Sequence, residues 1–177
     1  MKIGELGFFY SKFGKLYLFS SLHCASFFGI VEIIAALAGM EGGDINQEDC
    51  TSNTPLLLAA RYGHEGVVEI LLGQGGIKPD KPGGFSRTPL FSAAMNGHEE
   101  VVEMLLERGE VNPDKPDSDG TTPLCRAAWD GHEGVVKILL RRDVVNLDKP
   151  NKDGETPLWC AACCGPEGVV KMLLERK

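Results

Sequence analysis

The chain predicts an all-α fold, a helix-turn-helix solenoid with β-turn fingers, and three observations predict it. Thr-Pro-Leu recurs at Thr54-Pro55-Leu56, Thr88-Pro89-Leu90, Thr122-Pro123-Leu124 and Thr156-Pro157-Leu158, each copy 34 residues after the last. Small pairs follow at the same spacing: Ala59-Ala60, Ala93-Ala94, Ala127-Ala128 and Ala161-Ala162. Paired valines and leucines complete the pattern at Val67-Val68 with Leu71-Leu72, Val101-Val102 with Leu105-Leu106, Val135-Val136 with Leu139-Leu140, and Val169-Val170 with Leu173-Leu174. A fixed internal period of this size marks a stacked-repeat protein.

Each element of the unit has a physical reason. Thr before Pro reads as an N-cap followed by a proline at the first helical position. The hydroxyl accepts from a free helix N–H, and proline leaves none unsatisfied. A short first helix therefore starts at each Thr-Pro, and its alanine pair lets a neighbouring helix come close. Gly63, Gly97, Gly131 and Gly165 fit a left-handed residue closing that helix. The Glu after each, as in Gly63-His64-Glu65, lies in the first turn of a second helix, where the dipole favours negative charge. Val and Leu at i, i+1, i+4 and i+5 make one apolar face at helical spacing. A Gly-, Asp- and Pro-rich stretch, for example Asn112 to Gly120, closes the unit with turn chemistry. One such unit cannot bury its apolar face alone and must stack on its neighbours.

These residues carry a resemblance. Thr-Pro-Leu-x-x-Ala-Ala, Gly-His and Val-Val-x-x-Leu-Leu resemble the ankyrin repeat over residues 20–177, with one extra residue per unit in the closing turn. The tetratricopeptide repeat shares the 34-residue period, but its Trp-x-x-Leu-Gly-x-x-Tyr pattern is absent here. The Asn-Pro-Asp-Lys-Pro-Asp-type loops resemble those of long ankyrin arrays in fungal proteins. Five units are expected, at 20–53, 54–87, 88–121, 122–155 and a short 156–177, after a non-repeat segment at 1–19. The first unit aligns through Ala25, Gly29, Ile33-Ile34 and Gly39. The apolar stretches of 1–19 are broken by Lys12 and Lys15 and read as a cover for the first unit's apolar end rather than a leader or anchor. No capping unit follows the last helix, which reads as a piece of a longer array or a short, poorly capped one. The family's fourth-place His is replaced by Leu57, Phe91, Cys125 and Trp159, and only His23 keeps it.

The resemblance implies protein recognition without catalysis and without a cofactor, through a concave groove and turn tips. Within this chain the columns the family uses for that purpose vary freely. They supply Arg61, Tyr62, Met95, Asn96, Trp129 and Asp130 before the glycines, and Phe85, Arg87, Asp119 and Thr121 at the tips. Trp, Tyr and Arg are the residue types richest in binding hot spots. A net charge of −7 with no block of Lys or Arg argues against a nucleic-acid or anionic-membrane binder. A substrate-recruiting arm of a larger enzyme or signalling protein is the alternative function.

Other chemistry is weighed against structure and set aside. The six cysteines, Cys24, Cys50, Cys125, Cys160, Cys163 and Cys164, do not recur in one column and read as no disulfide framework. With no Asn-x-Ser/Thr site, they suit an intracellular compartment, cytoplasmic or nuclear. Cys160-Ala-Ala-Cys163 lacks the second ligand pair that structural zinc needs. His64, His98 and His132 recur at period 34, but successive helices about 8–10 Å apart space them too widely to share one ion with ease; the family uses them to tie one repeat to the next. Asp117-Ser118-Asp119-Gly120 and Asn151-Lys152-Asp153-Gly154 lack the flanking ligands of a calcium loop and read as turns.

Overall fold

The computed structural model describes residues 20–38 and 44–176. The expected role of residues 1–19 and the alignment of Gly39 lie outside them. The described chain holds ten α-helices and no strand. Five are first helices: α1 (Ser21–Phe28), α3 (Pro55–Tyr62), α5 (Pro89–Met95), α7 (Pro123–Asp130) and α9 (Pro157–Cys164). Five are second helices: α2 (Val31–Ala38), α4 (Glu65–Leu72), α6 (Glu99–Leu106), α8 (Glu133–Leu140) and α10 (Glu167–Glu175).

The caps form as the sequence dictates. The hydroxyls of Thr54, Thr88, Thr122 and Thr156 accept from the backbone N–H of Leu57, Phe91, Cys125 and Trp159, at 3.0–3.3 Å. Ser20 takes this part without a proline, accepting from His23 N–H while Nδ1 of His23 meets the Ser20 backbone N–H. Gly29, Gly63, Gly97 and Gly131 are left-handed, with φ of 71° to 79°. Gly165 departs from the expectation: its φ is −80° and ψ 162°. Pro166 follows it, and the proline ring drives the preceding residue out of helical space into extended backbone.

The stack is held in two layers. The alanine pairs at 59–60, 93–94 and 127–128 are fully buried, so the first helices pack closely upon one another, more closely than the second helices do. The stack therefore curves toward the first-helix side. Val67, Val68, Leu71, Val101, Val102, Leu105, Val135, Val136 and Leu139 fill the layer behind. His64, His98 and His132 each donate from Nε2 to a backbone carbonyl 37 residues earlier, that of Phe27, Arg61 and Met95, at 2.9, 3.1 and 3.0 Å. These bonds are the ties the resemblance implies. At Pro166 the tie is absent because the proline ring carries no N–H to donate. Lysines form a second ladder that sequence reading missed: Nζ of Lys81, Lys115 and Lys149 donates to the carbonyls of Asn46, Asp80 and Asp114, each 35 residues back.

One expectation is corrected. Cys125 and Cys160 are bonded sulfur to sulfur, with Cα atoms 6.1 Å apart. They sit in adjacent columns rather than one, and a separation of 35 residues is the register at which α7 meets α9. A column-by-column comparison therefore overlooks the pair.

The fingers are β-turns. Asp49, Gly83, Asp117 and Asn151 each donate from the backbone to the carbonyl four residues on, at 2.8–3.0 Å. In three of them the first side chain also receives backbone N–H groups: Asp49 from Thr51 and Asn53, Asp117 from Asp119 and Thr121, Asn151 from Asp153 and Glu155. This is the turn reading of the two calcium-like segments. The fourth residue of each tip is left-handed: Ser52, Ser86, Gly120 and Gly154. Serine bears a steric cost there that glycine does not. Ser86→Gly is expected to raise the unfolding free energy by about 1 kcal/mol, read as a higher urea midpoint, and an unchanged or lower midpoint would refute the assignment.

His23 gives the chain a pH dependence. It is fully buried, and burial holds its imidazole below the ordinary 6.5, against the Asn53 carbonyl and Asp49, which pull it upward. The folded state keeps His23 neutral where the unfolded chain protonates it, so the unfolded state binds more protons as pH falls below 6.5. Stability is expected to decline from that point downward, with a shallower decline in His23→Gln; parallel urea-midpoint profiles for the two proteins would refute it.

Candidate functional site

The fingertips and the first helices of the curved side bring several of the singled-out residues together. Phe85 stands at the tip of the second finger, 74% exposed, on a single 3-10 turn at Gly84–Ser86. Its φ of 58° is rare for a bulky side chain. The cause is local. Gly83 stands where the other fingers carry Asp or Asn, so no side chain gathers the N–H groups of this turn. A Cβ at Gly83 would lie 2.6 Å from Leu57 and 2.7 Å from Asn53 Oδ1. The Arg87 guanidinium lies over the Phe85 ring at 5.4 Å and over the Phe91 ring at 5.5 Å. Phe85 O accepts from Ser118 N–H at 2.8 Å, and Asp119 O accepts from Lys152 N–H at 3.0 Å, so each of these fingers is bonded to the next.

Behind these tips lies a hollow of about 200 Å³ between α3 and α5. Arg61, Phe85, Arg87 and Met95 line it with Thr51, Asn53, Leu57 and Ser92. Four of the ten sequence-predicted residues thus meet at one place. The others are spread along the stack. Tyr62 is exposed and packs edge-on to Phe27, with ring centroids 4.6 Å apart. Asn96 is exposed and donates from its amide to its own helix at Ser92 O. Asp130 pairs with Arg126 at 2.6 Å. Asp119 and Thr121 give backbone N–H groups to Asp117, and Thr121 O accepts from Asp117 N–H.

Trp129 is half-buried and stacks on Trp159, with centroids 6.0 Å apart and planes 28° from parallel. Trp159 is 45% exposed and was not among the residues singled out for binding. Its signal was present: it occupies the fourth column, where Leu57 lines the hollow. A wider hollow of about 760 Å³ lies between α8 and α10, lined by Glu133, Lys137, Arg141, Met172, Glu175 and Arg176. None of the sequence-predicted residues reaches it, and its charges are of both signs.

Three of the free cysteines, Cys24, Cys50 and Cys164, are poor nucleophiles. Burial pushes the Cys24 and Cys50 thiols above their ordinary range, and the hydrogen bond with Cys163 pushes up Cys164. A raised thiol pKa disfavours the reactive thiolate. Among the described residues, no group of three or more His, Cys, Asp or Glu is placed to hold a metal ion. No helix among them is long and apolar enough to cross a membrane.

Short helix pairs stacked in register, tied by histidine to the preceding pair and edged by β-turn fingers, define a repeat-solenoid protein. The match to ankyrin repeats, in three overlapping copies at residues 22–117, 78–148 and 109–177, shows that the chain belongs to the ankyrin repeat family. Ankyrin repeats are generally protein–protein interaction modules and typically non-catalytic. No curated protein matches the chain.

Proposed function

We propose that this chain is a non-catalytic scaffold that grips a protein partner along the curved first-helix face and the fingertips. The observation that carries the reading is the stacked Trp129–Trp159 pair, large aromatic surface held in place at the edge of the core and left partly open. Rigid, partly open tryptophan surface of this kind is the make-up of an interface hot spot. Tyr62, Phe85, Arg61, Arg87 and Met95 continue it along α3, α5 and the second finger. Asn96, Asp119, Thr121 and Asp130 supply a polar rim. The array is read as five units, at 20–53, 54–87, 88–121, 122–155 and 156–177, after the segment 1–19. The chain's acidity is the support for a partner that is neither a nucleic acid nor an anionic membrane. An intracellular setting, cytoplasmic or nuclear, draws its support from the lack of an Asn-x-Ser/Thr site, while the Cys125–Cys160 bond weighs against it.

The test is affinity capture from a cell extract with wild type beside a Trp129→Ala/Tyr62→Ala variant whose fold is checked by circular dichroism. A protein retained by the wild type and lost by the folded variant is the expected result. Identical captures would reject the face.

A further inference from the structure

The hollow behind the second finger differs in charge from the rest of this acidic chain. Its polar lining is Arg61, Arg87, Thr51, Asn53 and Ser92, and no carboxylate lines it. Arg61 lies over the Tyr62 ring at 5.9 Å, and among the described residues no carboxylate pairs with it. Arg87 lies over both the Phe85 and the Phe91 rings, and its Nε is buried with no hydrogen-bond acceptor. A buried guanidinium N–H without an acceptor is costly and needs an explanation.

Asp117 forms an ion pair with Arg87 but does not supply that acceptor. Asp117 Oδ2 lies 3.8 Å from Arg87 Nε, beyond hydrogen-bond reach, while Oδ1 is taken by the N–H groups of Asp119 and Thr121. Asp49 Oδ1 is likewise taken by the backbone of Thr51 and Asn53 and by the Thr51 hydroxyl.

We propose that this hollow is a binding site for one anionic side chain of the protein partner, a carboxylate or a phosphorylated residue, held by Arg61 and Arg87. The proposal rests on the reading of the first-helix face as the partner surface and names what that partner presents. Size selects a side chain: about 200 Å³ is below the roughly 300–1,000 Å³ of small-molecule sites. Charge selects a single anion, since a net charge of −7 repels a polyanion. The aromatic rings exclude water from one flank of Arg87, which strengthens its pairing with an incoming anion. Guanidinium matches carboxylate and phosphate alike in its two-pronged geometry.

The test uses three fluorescent peptide pools with randomised flanks and a fixed central residue: glutamate, phosphoserine or glutamine. Anisotropy titrations against the full chain are expected to show at least one anionic pool binding about tenfold more tightly than the glutamine pool. That preference is expected to vanish in Arg61→Gln, which alters an exposed residue, and in Arg87→Gln. The stronger of the two anionic pools identifies carboxylate or phosphate as the source. Equal binding of all three pools, no binding of either anionic pool, or a preference that survives both substitutions would overturn the proposal. Trp129→Ala separates the two readings. Affinity lost there for every pool, with no anion preference in the wild type, sinks the hollow and leaves the wider face standing. An anion preference that depends on Arg61 but ignores Trp129 keeps the hollow and sinks the wider face.

Discussion

Leu105→Ala is expected to lower the unfolding free energy by about 2–5 kcal/mol. Leu105 is fully buried on α6, in the layer behind the alanine pairs, and α6 packs against both α4 and α8. Truncation removes apolar burial and leaves a cavity that the flanking helices cannot close without losing their own register. The stability of a solenoid is close to a sum of unit and interface terms, so a void in the middle weakens two interfaces at once. Total stability of a domain is only about 5–15 kcal/mol, so this one change removes a large part of it. Position along the stack then sets the size of the effect. Leu173 is the same column in α10, which has α8 on one side and no second helix after it among the described residues. Leu173→Ala is expected to cost less than Leu105→Ala. Glu103→Ala, on the exposed face of α6, is expected to stay within about 0.5 kcal/mol of wild type. Urea unfolding of the three variants checks the order. A Leu105→Ala cost below about 1 kcal/mol, or a larger cost at Leu173, would overturn the stacking account.

The helices were legible because their signals are local and repeated. Thr-Pro, Ala-Ala and Val-Val-x-x-Leu-Leu each act within one unit, and the period places them four times over. Two of the failures of the sequence reading have their cause between units. The Cys125–Cys160 link joins adjacent columns of neighbouring helices, and no single column contains it. The lysine ladder joins side chains to backbone carbonyls 35 residues away, partners that leave no residue-type signature. Gly165 was assigned the left-handed conformation of its column, but the proline beside it, a purely local feature, overrides the period.

The site was legible in part for the same reason. Column variation led to Arg61, Phe85, Arg87 and Met95, and the hollow gathers all four. It could not show that Asp130 is engaged by Arg126 or that Asn96 is turned back on its own helix. Trp159 escaped because its column was read as a departure from the family rather than as surface. The third and seventh residues of a first helix are one turn apart and share a face; that geometry places Trp159 of one unit against Trp129 of the unit before.

Trp129→Ala is expected to weaken partner binding by about 2 kcal/mol or more, roughly thirtyfold, the threshold of an interface hot spot. The half-buried indole is held on one face by Trp159 and packs at the edge of the core. An aromatic surface fixed before binding loses little entropy when a partner covers it. The same packing means the substitution also costs stability, so affinity has to be compared between proteins shown to be folded at the temperature used. Trp159→Ala provides the control that separates these effects. Trp159 is more exposed and lies outside the buried core, so its loss is expected to reduce affinity with a smaller cost to the fold. Tyr62 sits on α3, two helices away from α7 at about 8–10 Å per helix, so its contribution should add to that of Trp129 rather than couple with it. Titration of the captured protein against wild type, both single variants and the Trp129→Ala/Tyr62→Ala pair decides the matter. Losses that sum across the pair place both aromatics in one extended interface. Wild-type affinity in folded Trp129→Ala and Trp159→Ala would mean that the indole stack only closes the end of the core, and the partner would have to be sought on another face.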